Sequence, residues 1–568
     1  MKFAWWGVLA LLLPAVSSAQ DAGGAPAVPK VTVRWDRFYD NDEIGEMLDR
    51  FHAAYPELSK VSTIGTSFGG RPIRAIEITN HAKGDASRKP GFYIDGNIHG
   101  NEVQGAEAAL YTAWYLLENY GRVAKITELV DDRVFYVVPT ANPDGRDGFL
   151  HEPNDANSPR GGLRPRDNDG DGRADEDGDD DLDDDGHIVQ MRRKNPHGRW
   201  KTSPKDARVL VPCGPDEEGS YDMLGEEGLD NDGDGRVNED GPGGYDPNRD
   251  WPVDWQPGYV QHGAMEYPFC LPETRAVGEY FMSHPNIAGA QSFHNAGGMI
   301  LRPPGKPGSE IHGGDIGVYD AIGRKGEQML PGYRYMAIGK DLYPVWGGEV
   351  DWFYYGRGVI TFTNELWTSV NMFRGPADDG TDAKFNDLLL QSAALVTWKS
   401  FHHPTYGDIE IGGFKKNFGR TPPSFLLEEE CHRNMSFVLY HADQMPSITL
   451  DVPEVKPLGN GLFSVRATVR NSRMIPTRIA QDVAQKVMRP DEFTLEGSGV
   501  AILSGGIVRD PDFAKVEPQR YRFQRLRVDT VPGMGLARVE WVVKGSGEFK
   551  VVFDSVKGGR IEAKGSLK

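Results

Sequence analysis

The residues best suited to chemistry are His99 and Glu102, in the stretch Gly96-Asn97-Ile98-His99-Gly100-Asn101-Glu102. An imidazole and a carboxylate three residues apart can face one ion and leave its other coordination positions open, as a catalytic zinc requires. Taken alone, the pair fits a chance surface arrangement equally well. Two more residues change that balance. His294 directly follows the apolar run 287–293, and Glu365 lies just past the run 359–363. Two histidines and one glutamate leave a fourth position on zinc for water, and a free carboxylate nearby can take that water's proton. The bland alternatives are a buried core histidine at 294 and an ion-pair partner at 365.

These residues need a scaffold, and the hydrophobic pattern supplies one. Phe92-Tyr93-Ile94 reads as a buried strand. It leads into a helix over 103–120, where Ala106, Leu110, Ala113, Trp114 and Leu117 recur at helical spacing. Upstream, 44–55 reads as an amphipathic helix and 61–64 and 73–78 as strands. Downstream, 134–138 is a strand ending in the turn Asn142-Pro143-Asp144-Gly145. Further helices are expected over 272–282, 383–401 and 424–442. Strands alternating with helices predict an α/β fold with a mixed, mostly parallel central sheet flanked by helices. His99, Glu102, His294 and Glu365 would then all lie at the C-terminal edges of strands, where open α/β sheets bind ligands. From residue 445 onward, short alternating runs separated by Gly, Pro and Asp turns predict a C-terminal all-β, sandwich-like domain with an accessory role.

Between these regions the pattern breaks. Residues 167–186 hold twelve acids in twenty positions. Within them Asp167-Asn168-Asp169-Gly170-Asp171-Gly172 recurs verbatim as Asp230-Asn231-Asp232-Gly233-Asp234-Gly235. Acids at positions 1, 3 and 5 followed by glycine form the first half of a calcium loop. Position 9 is Asp175 in one copy and Asn238 in the other. The candidate calcium ligands are therefore Asp167, Asp169, Asp171 and Asp175, with Asp230, Asp232, Asp234 and Asn238. Position 12 is Gly178 and Gly241, so the usual bidentate acid is missing, and Asp177 or Asp240 would have to replace it. The alternative is a solvated acidic loop. Calcium here would be structural.

A chain of 568 residues predicts two or more domains. The formal net charge of -20 argues against nucleic acid and anionic membranes as partners. Lys2, the apolar run 3–16 and Ser17-Ser18-Ala19 read as a signal peptide over 1–19, with a linker over 20–30. The expected location is secreted or periplasmic. No membrane insertion is expected, because the apolar run is too short to span. Of the three cysteines, Cys213 and Cys270 are a candidate disulfide and Cys431 a free thiol on a helix. No zinc-type cysteine pair occurs, so a metal would have to use histidines and carboxylates.

Several motifs, in order, resemble the carboxypeptidase A-like family of zinc carboxypeptidases. They are His99-Gly100-Asn101-Glu102, Asn142-Pro143-Asp144-Gly145, Asp246-Pro247-Asn248-Arg249, Ser292-Phe293-His294, Tyr343–Trp352 and Phe362-Thr363-Asn364-Glu365-Leu366. The resemblance covers roughly residues 35–435. It implies a zinc carboxypeptidase-like catalytic domain over 31–444, with the acidic insert at about 151–245, and leaves 445–568 as the β-rich part. It implies zinc on His99, Glu102 and His294, and Asp246 as hydrogen-bond partner of His99. Glu365 would be the general base and Arg192 the oxyanion-stabilising arginine, with Arg193 a rival one position away. Asn248 and Arg249 would grip a terminal carboxylate and Tyr343 would close over the bound residue. Val350 would set a preference for apolar or aromatic C-terminal residues, though Glu349 beside it complicates that expectation. The implied activity is hydrolysis of C-terminal residues from peptides or proteins. Two other readings stay open: a related metallohydrolase trimming peptidoglycan stem peptides, and a non-catalytic, calcium-dependent binding protein.

Overall fold

The strand that carries the site is apolar on both faces because it is covered on both. Gly91–Gly96 is buried throughout, as is the helix Gln104–Asn119 that follows it. A helix buried on every side belongs between layers. This one lies between the sheet and the helix Ser424–Asp443. The structure is a computed structural model that describes residues 28–510 and 515–568. The expected signal peptide and most of the expected linker lie outside the described residues.

Eight strands form the central sheet: β1 (Ser59–Thr66), β2 (Pro72–Ile78), β3 (Gly91–Gly96), β4 (Val134–Val138), β5 (Ile287–Asn295), β6 (Met299–Arg302), β7 (Arg334–Ala337) and β8 (Ile360–Leu366). Their order is β1-β2-β4-β3-β5-β8-β6-β7. The middle pairings, β4 with β3, β3 with β5 and β5 with β8, are all parallel. Antiparallel pairs join β1 to β2, β2 to β4 and β6 to β8. The fold is thus an α/β fold with a mixed central sheet and flanking helices, as the alternation of elements predicts. The register of the β5–β8 pair sets Glu365 directly opposite His294.

Close packing at the end of β3 explains the glycines there. A Cβ on Gly96 would lie 2.5 Å from the carbonyl carbon of Gly105, and one on Gly100 2.5 Å from that of Gly145. Asn142 caps the helix Pro143–His151 by accepting from Gly145 N, and its amide donates to Ile98 O at 3.2 Å and Gly161 O at 2.9 Å. The turn therefore stitches the loop that carries His99 to the segment 155–162. Below it Arg146, fully buried, donates to Glu107 at 2.6 Å and to Asn97 Oδ1 at 2.9 Å. Removing one partner of such a pair strands a buried charge, at a cost of about 3–5 kcal/mol.

The acidic insert does not stand alone. Its strands Gln190–Gly198, Gly219–Glu226, Trp200–Thr202 and Leu210–Pro212 join Leu395–His403 and Gly407–Phe414 in a second, six-stranded sheet. The helix expected over 383–401 is consequently two elements, a helix Thr381–Leu389 and the strand Leu395–His403. The β-branched and aromatic run Val396-Thr397-Trp398 and the hairpin partner Gly407–Phe414 override the helical pattern. The expected disulfide is also absent: Cys213, Cys270 and Cys431 are all free. Cys270 lies between Glu266 and Arg164, while Cys213 faces Gly219 inside the six-stranded sheet. Cys431 is buried on the helix Ser424–Asp443.

Beyond Met445, two antiparallel sheets face one another across a core that includes Phe463, Val465, Phe493, Trp541, Val551 and Phe553. This β region docks on the α/β part through buried polar contacts. Lys557 Nζ donates to Arg357 O at 2.7 Å, and Asp315 accepts from the backbone N–H groups of Ala480 and Gln481 at 2.7 and 3.0 Å.

Candidate metal centre

The parallel register of β3, β5 and β8 brings three separated segments to one edge of the sheet. His99, Glu102 and His294 are each buried, and one donor atom from each lies within 4.8 Å of the others. His99 Nδ1 is 3.0 Å from Glu102 Oε1, and His294 Nδ1 is 2.9 Å from Glu102 Oε2. The two Nδ1 atoms are only 3.2 Å apart. His99 Nε2 lies 2.9 Å from Asp246 Oδ1, so the ring proton belongs on Nε2 and the Nδ1 lone pair faces the cluster. Two nitrogens and a carboxylate converging in this way repel one another unless a cation lies among them. A borderline cation such as zinc takes such a donor set. The residues present therefore fit a zinc site with room for further ligands.

Glu102 and Asp246 are kept ionised by their neighbours. Burial alone would raise the Glu102 carboxyl, but His99 and His294 hold it well below the usual range. For Asp246, burial is likewise outweighed by Arg160, Arg249 and His99. Glu365 behaves oppositely. Burial first, and the nearby Glu102 second, push its carboxyl up to about 7.

A cleft of about 470 Å³ opens over this cluster. His99, Glu102, His294 and Glu365 line it, with Asn248, Arg249, Tyr343 and Val350. Asn248 Oδ1 accepts from Glu349 N at 2.8 Å, which leaves its NH2 group as the free donor. Arg249 is buried, with Nη1 on Asn248 O at 2.8 Å and Nε without a partner. Tyr343 is 47% exposed at the rim. Val350 belongs to an apolar wall with Leu301, Ile338 and Val345. Glu349 does not line the cleft. Its Oε2 accepts from Ser292 Oγ at 2.9 Å, and burial together with Asp95 pushes it well above the usual carboxylate range.

Arg192 is not at this site. It lies on the strand Gln190–Gly198 of the six-stranded sheet, bonded to Glu410 at 2.8 and 2.7 Å and stacked over the rings of Tyr221 and Trp398. Arg193 is no nearer, since it faces Asp222. The arginines that line the cleft are Arg160, Arg249 and Arg420. Arg160 donates from Nε to Asp246 Oδ2 at 3.1 Å and from Nη1 to Glu102 Oε1 at 3.3 Å. Arg420 donates to Asn295 O at 3.1 Å and to Asn157 Oδ1 at 2.9 Å. Only Gly161-Gly162, the pair of residues that lets the backbone pack tightly behind Arg160, marks it in the sequence. Arg420 carries no such mark.

The acidic repeats fold as near-identical turns. Gly172 N donates to Asp167 Oδ2 at 3.0 Å and Gly235 N to Asp230 Oδ2 at 3.1 Å. A third copy, Asp181-Leu182-Asp183-Asp184-Asp185-Gly186, makes the same turn, with Gly186 N on Asp181 Oδ2 at 2.7 Å. Leu182 and Asp184, in place of Asn and Gly, obscure this copy in the sequence. The carboxylates that converge differ from those expected. Asp167, Asp169, Asp171, Asp232 and Asp234 belong to close groups with Glu176, Glu239 and Asp240. Asp175 and Asp230 belong to none among the described residues. Asp175 turns to Arg166 N, and Asn238 donates to Glu226 O and Glu227 O while its Oδ1 is buried without a partner.

A sequence model described as zinc carboxypeptidase matches residues 44–380, more than half of the chain, and one described as a domain of unknown function matches 447–566. Carboxypeptidase D of Drosophila melanogaster is 30% identical over 144 residues, which are 24% of this chain and 10% of that protein. The protein named inactive metallocarboxypeptidase ECM14 of Saccharomyces cerevisiae is 32% identical over 111 residues, 20% of this chain and 26% of that protein. The chain thus spans a small share of the length of these curated relatives. Among solved structures, thrombin activatable fibrinolysis inhibitor matches with a TM-score of 0.43 at 17% identity, covering 75% of this chain and 78% of the other. No helix among the described residues is long and apolar enough to cross a membrane. On the match to residues 44–380, this chain belongs to the zinc carboxypeptidase family.

Proposed function

We propose that the chain is an exported zinc metallocarboxypeptidase that removes apolar or aromatic residues from the C-termini of peptides. The observation that carries this reading is the convergence of His99 Nδ1, His294 Nδ1 and the Glu102 carboxylate at the floor of a cleft whose wall holds Glu365. Zinc held by these three residues supplies a Lewis acid for a peptide carbonyl and an attacking water. Glu365 takes the proton of that water and returns it to the leaving amine, a role suited to a buried carboxyl pushed up to about 7. Arg160, rather than Arg192, offers a guanidinium to the developing oxyanion. Asn248 and Arg249 bind the substrate's terminal carboxylate, for which the planar fork of arginine is fitted. Tyr343 covers the bound residue, and the wall of Leu301, Ile338, Val345 and Val350 receives its side chain. The acidic insert holds calcium as a structural cation.

Incubating the purified, zinc-loaded protein with a peptide library, and sequencing the products by mass spectrometry, tests this. Stepwise loss of C-terminal Leu, Phe or Tyr is expected, slowed by about two or more orders of magnitude in Glu365→Gln. Internal cleavage, or full activity in the Gln variant, would overturn the mechanism. Preferential release of C-terminal Lys or Arg would overturn the pocket assignment.

A further inference from the structure

The two verbatim acidic repeats do not act as separate loops. They face each other and exchange partners. Asp177 N donates to Asp240 O and Asp240 N to Asp177 O, both at 3.2 Å. Asn231 N, in the second copy, donates to Asp177 Oδ1 of the first at 2.8 Å. Asn168 Nδ2, in the first, donates to Asp240 Oδ1 of the second at 2.9 Å. The carboxylates follow this exchange. Asp167 and Asp169 form a close group with Asp240 of the other copy, and Asp169 also lies with Asp232, Asp234 and Glu239. A third group is Asp169, Asp171 and Glu176. Asp169 is common to all three.

A cluster of acids is ordinarily solvated, but this one is partly sealed. Asp240 is only 1% exposed, and its Oδ2 has no hydrogen-bond partner. Both carboxylate oxygens of Glu176 and Oε2 of Glu239 are buried without partners as well. Among the described residues, the one cation paired with the eight carboxylates of these groups is Arg236, 3.8 Å from Asp234. The third copy provides a contrast, because Lys399 pairs with Asp183 there and already supplies a positive charge. Buried carboxylates that lack both donors and counter-charges must either keep a proton or take up a cation. All-oxygen donors in a flexible loop select a hard ion of the calcium type.

The same segments lead into the peptide site. Asn168 packs so closely on Gly244 that a Cβ there would lie 1.9 Å from its amide nitrogen. Two residues further on, Asp246 bonds His99 and Arg160. Gly161, next to Arg160, packs against Gly243 O, 2.5 Å from where its Cβ would be. A cation held between Asp167, Asp169 and Asp240 therefore ties together the chain segments that run to Arg160 and to Asp246.

We propose that the two repeats form one shared calcium-binding module in which Asp240 of the second copy completes the ligand set of the first, and that calcium there holds Arg160 and Asp246 in place at the peptide site. This rests on the proposed calcium occupancy of the insert and adds which residues bind and what binding controls. Calorimetric calcium titration of the zinc-loaded full chain, in calcium-free buffer, tests it alongside zinc content and peptide turnover. The wild type is expected to bind calcium, and Asp240→Asn and Glu176→Gln to bind it at least about tenfold more weakly. Asp175→Asn, which the sequence pattern makes a ligand and the structure does not, is expected to bind as the wild type does. Without calcium, the wild type is expected to keep its zinc but lose about tenfold or more in turnover. No calcium binding by the wild type would overturn calcium occupancy itself. Unchanged binding in both Asp240→Asn and Glu176→Gln would overturn the exchanged ligand set. Calcium binding without any change in turnover would overturn the coupling.

Discussion

Asp246 holds His99 and Arg160 with different oxygens of one carboxylate: Oδ1 is 2.9 Å from His99 Nε2, and Oδ2 is 3.1 Å from Arg160 Nε. One side chain thus orients the proposed metal ligand His99 and the arginine proposed to meet the reacting carbonyl. Its third bond, accepted from Asn248 N at 2.8 Å, fixes the start of the pair proposed to bind the terminal carboxylate. Asp246→Asn keeps the shape but removes the charge that keeps His99 Nδ1 free of its proton. Zinc affinity is expected to fall about 10–100-fold. Competition with a chromophoric chelator measures this directly, and unchanged affinity would refute the orienting role.

Glu365 pairs in register with His294 but does not belong to the group of His99, Glu102 and His294, so its removal is separable from metal binding. Glu365→Gln is expected to retain zinc and bind peptide, while kcat falls by about two to four orders of magnitude. Zinc analysis beside steady-state kinetics separates the two effects. Loss of zinc in the variant would assign Glu365 to the metal instead.

The two arginines make opposite predictions. Arg160→Ala is expected to lower kcat about 100- to 1,000-fold, the cost of losing a preorganised oxyanion donor. Arg192→Ala should leave kcat intact and lower the melting temperature. Its guanidinium is sandwiched between Tyr221, Trp398 and Glu410, and truncating it removes both ring contacts and leaves Glu410 with Lys194 as its remaining cation. Kinetics and thermal denaturation on both variants decide the assignment. A kcat loss confined to Arg192→Ala would reverse it.

What the sequence revealed and what it concealed divide along physical lines. The strands at 92–94 and 134–138 follow from continuous apolar runs, because burial on both sides leaves no other pattern, and the helices around 104–119 and 424–443 follow from apolar residues at helical spacing. The cluster of His99, Glu102, His294 and Glu365 was legible because each residue sits at the end of such a run. Arg160 was not, since an arginine in a glycine-rich loop shows nothing of where its long side chain reaches. Arg192 misled because an Arg-Arg-Lys run looks the same whether its strand borders the cleft or pairs with 407–414 in another sheet. The strand at 395–403 was hidden for the same reason: its hairpin partner, rather than its own periodicity, decides its conformation. The calcium-type repeats were visible as a pattern, but exchange between copies is a tertiary fact. It carries Asp240, named in the sequence for its own copy, to the other one, brings in Glu239 and leaves Asp175 out.

His441 gives the molecule a defined acid sensitivity. It is fully buried on the helix Ser424–Asp443, with the rings of Phe92 and Phe362 at 4.9 and 5.3 Å. Gln291 Nε2 lies 3.3 Å from its Nδ1, and its Nε2 has no partner. Burial pushes its pKa down to about 3. In the unfolded chain the imidazole titrates near 6.5. Between these values the unfolded state binds a proton that the folded state refuses, so stability rises with pH across the window. The contribution is complete above about pH 6.5 and is lost as pH falls toward 3, by up to about 1.4 kcal/mol per pH unit. His441→Leu removes the titrating group and is expected to flatten this part of the profile. Urea denaturation of both proteins at intervals from pH 7 to 4 measures the difference, and parallel curves would refute the assignment.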